Sequence, residues 1–100
     1  MSDVLNEVGV QNGLTVSTAA VSLTLPTGLR PTRALIYVGG APIRWRSGGN
    51  APTSTTGMFV KADGYIDLMA FDARGVISSI QFIRDTTAGA DATLDITYFG

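Results

Sequence analysis

Apolar and polar residues alternate with a period of two in several short runs of the chain. Apolar residues occupy every second position of residues 21–25, with Ser22 and Thr24 between them. The same alternation extends over residues 92–98, where Ala, Leu, Ile and Tyr face one way and Thr and Asp face the other. Because the side chains of a strand point alternately to its two faces, these runs predict half-buried β-strands. The 3.6-residue spacing of an amphipathic helix is rare here, so we expect an all-β protein.

Residues 34–38, with the sequence ALIYV, differ because they form a continuous apolar run without polar residues at every second position. Such a run, ended by Gly39 and Gly40, predicts a central strand that is buried on both faces. Turn-forming Gly, Pro, Asn and Asp residues separate the runs at a spacing typical of sandwiches. We therefore predict a single antiparallel β-sandwich of about eight short strands; a jelly roll is one topology for it, and a small barrel is the alternative. Further candidate strands are 43–46, 58–61, 65–68 and 80–83.

The rest of the chain divides into an arm, two loops and one ambiguous segment. Residues 1–13 have only a weak pattern, which predicts an N-terminal arm that is flexible or docked on a neighbouring molecule, before a sandwich domain over 14–100. Small polar residues dominate 47–57 and 85–91, and this composition predicts exposed loops. Residues 70–76 (AFDARGV) fit either a short helical turn or a long loop.

Composition and charge narrow the possible partners. The chain has 100 residues, of which 45% are hydrophobic and only 15% are charged. A charged fraction below the usual value of about 25% indicates that a partner covers part of the surface. The formal net charge of -1 and the scattered basic residues give no field that would attract nucleic acid or a membrane. No apolar run is long enough to cross a bilayer, and the acidic N-terminus does not resemble a signal peptide.

The inventory of reactive side chains argues against an enzyme. The chain has no His and no Cys, the residues that most often serve as general base or zinc ligand. The only lysine, Lys61, fits a solvated strand end, and residues 85–89 (DTTAG) lack the glycine that the Asp-Thr-Gly loop of aspartic proteases needs. The acids Asp67, Asp72 and Asp95 fit outward polar positions better than a catalytic pair. We therefore predict no catalytic residue, no metal and no cofactor.

The sequence IRWR at 43–46 gives the most specific suggestion of an interface. Alternation directs Ile43 and Trp45 towards the core and places Arg44 and Arg46 together on the opposite side. In a lone sandwich these arginines would meet solvent or pair with acids of a neighbouring chain, for which the planar guanidinium is well suited. Phe99 lies on the side opposite the apolar face of the last strand, so we expect an exposed apolar contact there. We predict Arg44, Arg46 and Phe99 as interface residues.

Much of the chain resembles small virion proteins of tailed bacteriophages. The resemblance lies in RALIYVGGAPIRWRSGGNAPTSTTGMFVKADGYIDL followed by ISSIQFIRDTTAGADATLDITYF. Its shared elements are an apolar strand, a Gly-Ala-Pro corner, an arginine-containing strand, a Gly-rich turn and a Pro-Thr-x-x-x-Gly stretch at 52–57. An Ile-Gln-Phe-Ile strand and an alternating C-terminal strand complete the pattern. It covers about residues 30–100 and contains no catalytic signature.

Such proteins are typically capsid decoration, or cement, proteins or other small head-associated components. The resemblance implies a β-sandwich that is made in the host cytoplasm, binds the major capsid protein on the outer surface of the head and stabilises the shell. It also implies a homo-oligomer, either a dimer or a trimer, without metal or cofactor. Two alternatives remain open at this point. One is a tail, baseplate or spike-base connector, and the other is a carbohydrate-binding β-sandwich that uses Trp45 or the tyrosines as a platform.

Overall fold

The computed structural model describes residues 7–24, 33–48, 51–69 and 79–99 of the chain. These residues form eight strands in two antiparallel sheets of four, which confirms the predicted all-β sandwich. The segment 70–76, predicted as a helical turn or loop, lies outside the described residues. In chain order the strands are β1 (Glu7–Val16), β2 (Val21–Ser22), β3 (Arg33–Gly39), β4 (Ile43–Arg46), β5 (Met58–Val60), β6 (Tyr65–Met69), β7 (Gln81–Arg84) and β8 (Ala92–Phe99).

The strand order is that of a jelly roll. Sheet A has the order β1-β8-β3-β6 and sheet B the order β2-β7-β4-β5. The pairs β1–β8, β2–β7, β3–β6 and β4–β5 are those that form when a chain folds back at its middle into one long antiparallel ribbon. Rolling the ribbon up places alternate pairs in opposite sheets and adds the contacts β3–β8 and β4–β7. The sandwich is therefore an eight-stranded jelly roll.

The inward-facing side chains of the two sheets form one core. Buried residues occupy every second position of β3 and β8, as the alternation predicts. Trp45 packs against this core from a half-buried position, which agrees with the direction predicted for it. Tyr98 is fully buried, and burial raises the pKa of its hydroxyl to about 12. The core consists of Val16, Ala34, Ile36, Val38, Ala41, Ile43, Ile66, Leu68, Ile80, Phe82, Ala92, Leu94, Ile96 and Tyr98.

The longest strand, β1, corrects the expectation of an N-terminal arm. Residues 7–13 belong to β1 and pair with β8 of the same chain, while residues 1–6 lie outside the described part. Two register shifts, one after Glu7 and one after Gln11, each insert one residue relative to β8. An inserted residue reverses the side to which the following side chains point, so the period of two is lost. The weak pattern of residues 7–13 reflects a bulged edge strand, and the arm stays a prediction for residues 1–6.

Strand β3 corrects a second expectation. It lies inside sheet A between β8 and β6, where a central strand was predicted. However, only the alternate residues Ala34, Ile36 and Val38 are buried in the core. Leu35 and Tyr37 point to the outer side of sheet A and are half-buried. Burial on both faces is wrong for this run because each sheet of a two-layer sandwich has only one covered face.

Candidate interaction surface

Arg44 lies on the outer side of sheet B, and its guanidinium is bound within its own chain. Its Nε donates to Oδ1 of Asp85 at 2.6 Å, and its Nη1 donates to the carbonyl oxygen of Gly57 at 3.1 Å. The guanidinium carbon also lies 5.5 Å from the centre of the Phe59 ring, within the range of a cation–π interaction. Arg44 therefore pairs with an acid of its own chain and not of a neighbouring one, while its place in an interface stays a prediction. The pairing of β4 with β7 brings an acid 41 residues away within reach.

Asp85 connects β4, β7 and the turn that follows β7. The residue is only 3% exposed, and its Oδ2 accepts bonds from the hydroxyl and the N–H of Thr87. The bonds from Thr87 lower the pKa of Asp85, and the pair with Arg44 lowers it further, although burial opposes both effects. Asp85 is thus held as a carboxylate and does not exchange a proton near neutral pH. Its role in this geometry is to join elements of the fold.

The loop 51–57 lies against the outer side of sheet B. Pro52 in this loop is buried, and the carbonyl oxygen of Ser54 accepts a bond from the N–H of Thr86 at 2.9 Å. Gly57 has a φ of 119°. A Cβ atom at this position would lie 3.0 Å from the carbonyl oxygen of Trp45 and 3.2 Å from Cβ of Pro52. Only glycine allows both the backbone conformation and the close approach to β4.

An open pocket of about 380 Å³ lies between this loop and the end of β7. Arg84 and Asp85 contribute to its lining, together with threonine, serine, proline and isoleucine side chains. Arg84 donates to Oδ1 of Asp91 at 2.7 Å and to the carbonyl oxygen of Ala88 at 3.1 Å. Both charged side chains of the pocket are thus engaged by their own chain.

The other two predicted interface residues lie on opposite sides of the molecule. Arg46 is exposed on the outer side of sheet B, opposite Gln81 of β7, and makes no ion pair with a described residue. Phe99 lies on the outer side of sheet A, as the alternation predicts, but it is half-buried. The guanidinium carbon of Arg33 lies 5.4 Å from the centre of its ring. Arg44, Arg46 and Phe99 therefore do not form one site.

The structure brings five large apolar or aromatic side chains together on the outer side of sheet A. Tyr65 and Val10 are 65% and 52% exposed, and Leu35, Tyr37 and Phe99 are half-buried. Cross-strand pairing places them in three adjacent rows, which they share with one threonine and three charged residues. We call this surface the A face. The sequence signal for this surface is the apolar run 34–38, which predicts burial on both faces of its strand.

Charged groups are distributed unevenly along the A face. At one end, Arg33 bonds through Nε and Nη2 to both carboxylate oxygens of Asp67, each at 3.0 Å. At the other end, the hydroxyl of Tyr37 donates to Oδ1 of Asp63 at 2.5 Å, and Asp95 is paired with Tyr37 in the register of β3 and β8. The bond to Asp63 raises the pKa of the Tyr37 hydroxyl. The Arg33 guanidinium and its paired carboxylate therefore lie at one end of the face, and two further carboxylates lie at the other.

The same end of the A face carries a pair of aromatic rings. The ring centres of Tyr37 and Tyr65 are 5.2 Å apart, with an angle of 54° between the ring planes. Asp95 beside them accepts a bond from the N–H of Gly13 at 3.0 Å, which attaches the bulge of β1 to β8. This arrangement offers two aromatic ring surfaces with carboxylates beside them. Trp45, the other aromatic residue that the sequence suggested as a platform, packs against the core.

Two of the three acids considered for a catalytic pair have structural partners. Asp67 pairs with Arg33, and Asp95 accepts the bond from Gly13, while Asp72 lies outside the described residues. Within residues 7–24, 33–48, 51–69 and 79–99, no three acidic, His or Cys side chains are grouped so that they would hold a metal ion. Asp67 and Asp95 therefore serve to pair and attach elements of the fold.

Comparison with protein-family models, curated proteins and solved structures found no significant match to this chain. Across the part of the chain that the structure describes, no helix is long and apolar enough to span a membrane.

Proposed function

We propose that this protein is a structural virion protein of a tailed bacteriophage that binds the outer surface of the capsid and stabilises it. The proposal is supported by the resemblance of residues 30–100 to small head-associated proteins. It is also supported by the jelly-roll topology, which recurs in viral capsid proteins but equally in lectins and cupins. Because a fold alone does not define a function, the surface must carry the argument.

The observation that carries the proposal is that both sheets expose large apolar side chains. Val10 and Tyr65 are exposed on sheet A, and Met58 and Phe59 are 60% and 51% exposed on β5 at the edge of sheet B. Isolated surface apolar residues are normal, but here they accumulate on two separate sides of a small domain with few charges. Two contact surfaces are what a component needs when it lies between neighbours in a lattice.

On this proposal the surface around β5 binds the major capsid protein. Phe59 lies beneath the Arg44 guanidinium, and Arg46 adds an exposed cation on the same side of sheet B. A contact surface built around two exposed apolar side chains is small, so its affinity for one capsid site is modest. Affinity for the shell increases when linked copies bind several sites together, and binding only to the assembled shell stabilises it by mass action.

The test uses phage particles made without this protein. The purified protein is expected to co-sediment with DNA-filled heads at high copy number and to raise the temperature at which those heads lose their DNA. Phe59→Glu is expected to weaken head binding at least about tenfold, because it places a charge in an apolar contact. Lys61→Glu, at an exposed position after the same strand, serves as a matched control. Binding to isolated tails and not to heads would reject the decoration role and favour the tail connector.

A carbohydrate-binding module is the second candidate, and the Tyr37–Tyr65 pair favours it. Sugars stack on exposed aromatic rings, and the carboxylates of Asp63 and Asp95 beside the pair accept hydrogen bonds from hydroxyl groups. A glycan panel tests this reading. Binding that disappears in Tyr65→Ala would support it, and no binding by the wild-type protein at millimolar sugar would reject it.

A further inference from the structure

The A face is complementary to itself. Along β3, Arg33 and Tyr37 are four residues apart, which is about 13 Å in an extended strand. The end at Arg33 combines the ring of Phe99 with a guanidinium that is paired with Asp67 of its own chain and could bridge to a second carboxylate. The end at Tyr37 combines the carboxylates of Asp63 and Asp95 with two tyrosine rings. Between the two ends lies an apolar centre at Leu35.

We propose that the A face binds the A face of a second copy of this chain around a two-fold axis. The axis lies between the A faces of the two copies, runs perpendicular to the strands and passes over Leu35. A rotation about it reverses the strand direction, so Arg33 of one copy lies over Tyr37 and Asp95 of the other. Leu35 then meets Leu35. Each copy supplies both halves of the complementarity, as an isologous dimer requires.

The register of the strands supports this arrangement in detail. Thr97 and Val10 lie in the same cross-strand row as Leu35, so the centre of the contact is free of charge on the β1 and β8 side. Asp67 ends the row on the edge strand β6, where the Arg33 of its own chain already neutralises it. The two-fold axis therefore brings Asp67 of one copy close to Asp67 of the other. Each of these carboxylates is paired with Arg33 of its own chain, and both lie on the edge strand of their sheet.

The size of the face sets the strength of the contact. Four strands about 4.8 Å apart and about seven residues long give a footprint of roughly 19 by 23 Å on each copy. Two such footprints bury less than the roughly 1,200 Å² at which stable interfaces begin. We therefore expect a dimer that dissociates in the micromolar range or weaker and is loosened by salt. The inference does not depend on the proposed capsid role, since it concerns the free protein.

Sedimentation equilibrium over a concentration series from micromolar to millimolar tests the proposal. The wild-type chain is expected to show a monomer–dimer equilibrium. Leu35→Glu is expected to raise the dissociation constant at least about 30-fold, because two like charges meet at the axis. Phe59→Glu, an apolar-to-acid change on sheet B, is the matched control and leaves the equilibrium unchanged. Circular dichroism confirms that each variant is folded.

A charge-reversal experiment distinguishes this register from any other. Arg33→Glu and Asp95→Lys each place like charges in opposition within their own homodimers, so each variant alone is expected to dimerise at least about fivefold more weakly. Mixed in equal amounts, the two variants restore opposite charges at both ends of the face and are expected to form a heterodimer. A wild-type protein that stays monomeric at millimolar concentration, a trimer, or a mixture without recovery would overturn the proposal. Loss of head binding with an intact dimer would reject only the capsid role.

Discussion

The chain bonds its own side chains on the outer sides of both sheets, but only on sheet B do the described residues add a covering loop, 51–57. Ile83, which points outward from β7 beside Arg44, is only 9% exposed. Together with Pro52 of the loop 51–57 and Asp85, it lines the pocket beneath that loop. On sheet A, the residues in the equivalent outward positions, Leu35 and Tyr37, remain half-buried.

The two sides also use arginine–aspartate pairs differently. The pair of Arg44 with Asp85 on sheet B has a carboxylate whose side chain is 2% exposed, whereas the carboxylate paired with Arg33 on sheet A is 40% exposed. Removing one partner of a buried ion pair leaves the other charge buried and unpaired, which lowers the free energy of unfolding. An exposed pair contributes little to that free energy. The difference teaches that the described residues cover part of the outer surface of sheet B with a loop of the same chain, whereas they place no such loop over the outer surface of sheet A.

The largest expected loss of stability comes from breaking the pair of Arg44 with Asp85. Arg44→Met keeps much of the apolar stem but leaves the Asp85 carboxylate without its cation. We expect the melting temperature to fall by more than about 10 °C in thermal unfolding followed by circular dichroism. Arg33→Met on the A face is the matched control and should lower it by no more than about 4 °C. Equal losses in the two variants would contradict the contrast between the sheets.

A smaller loss of stability is expected when either of two glycines with positive φ, Gly57 and Gly13, is replaced by alanine. Gly57→Ala forces a Cβ atom to within 3.0 Å of the carbonyl oxygen of Trp45, so we expect a loss of about 2–4 kcal/mol in the free energy of unfolding. Gly13→Ala in the bulge of β1 meets nothing within 4 Å and should cost only the backbone strain of about 1–2 kcal/mol. Urea unfolding measures both. If Gly13→Ala proved the more harmful change, the tight approach of the loop to sheet B would not matter for stability.

Local pattern was sufficient to predict most of the sandwich. The strand predicted at 43–46 matches β4, and the alternation over 92–98 correctly placed Phe99 opposite the core face of β8. Strand β1 was missed because its two bulges break the alternation on which the prediction depended. A pattern that depends on side-chain direction fails where one strand gains a residue relative to its partner.

The candidate surface was less predictable because it depends on contacts between distant parts of the chain. Nothing near Arg44 in the sequence indicates Asp85, and the jelly-roll order alone brings their strands together. The apolar run 34–38 did indicate that Leu35 and Tyr37 need cover. A single sequence cannot distinguish cover supplied by the same chain from cover supplied by a second molecule, since both require the same apolar residues.

The smallest expected effect concerns pH and again separates the two sheets. The hydroxyl of Thr87 makes the largest contribution to the lowered pKa of Asp85. The folded protein therefore binds a proton at this carboxylate less tightly than the unfolded chain does. Its stabilisation is complete above the ordinary Asp pKa of about 4 and is lost as the pH falls through the lower pKa of the folded state.

Thr87→Val removes the hydroxyl and keeps the N–H bond and the shape of the side chain. We expect its melting temperature to lie about 2–6 °C below that of the wild type at pH 7, and we expect this difference to shrink progressively as the pH falls below about 4. The lowered pKa of Asp91, caused first by its bond with Arg84, adds an acid-dependent loss that both proteins share. Melting curves recorded between pH 3 and pH 7 measure the difference. Two curves that stayed parallel would show that Thr87 acts through packing, and that the carboxylate of Asp85 is not what the turn stabilises.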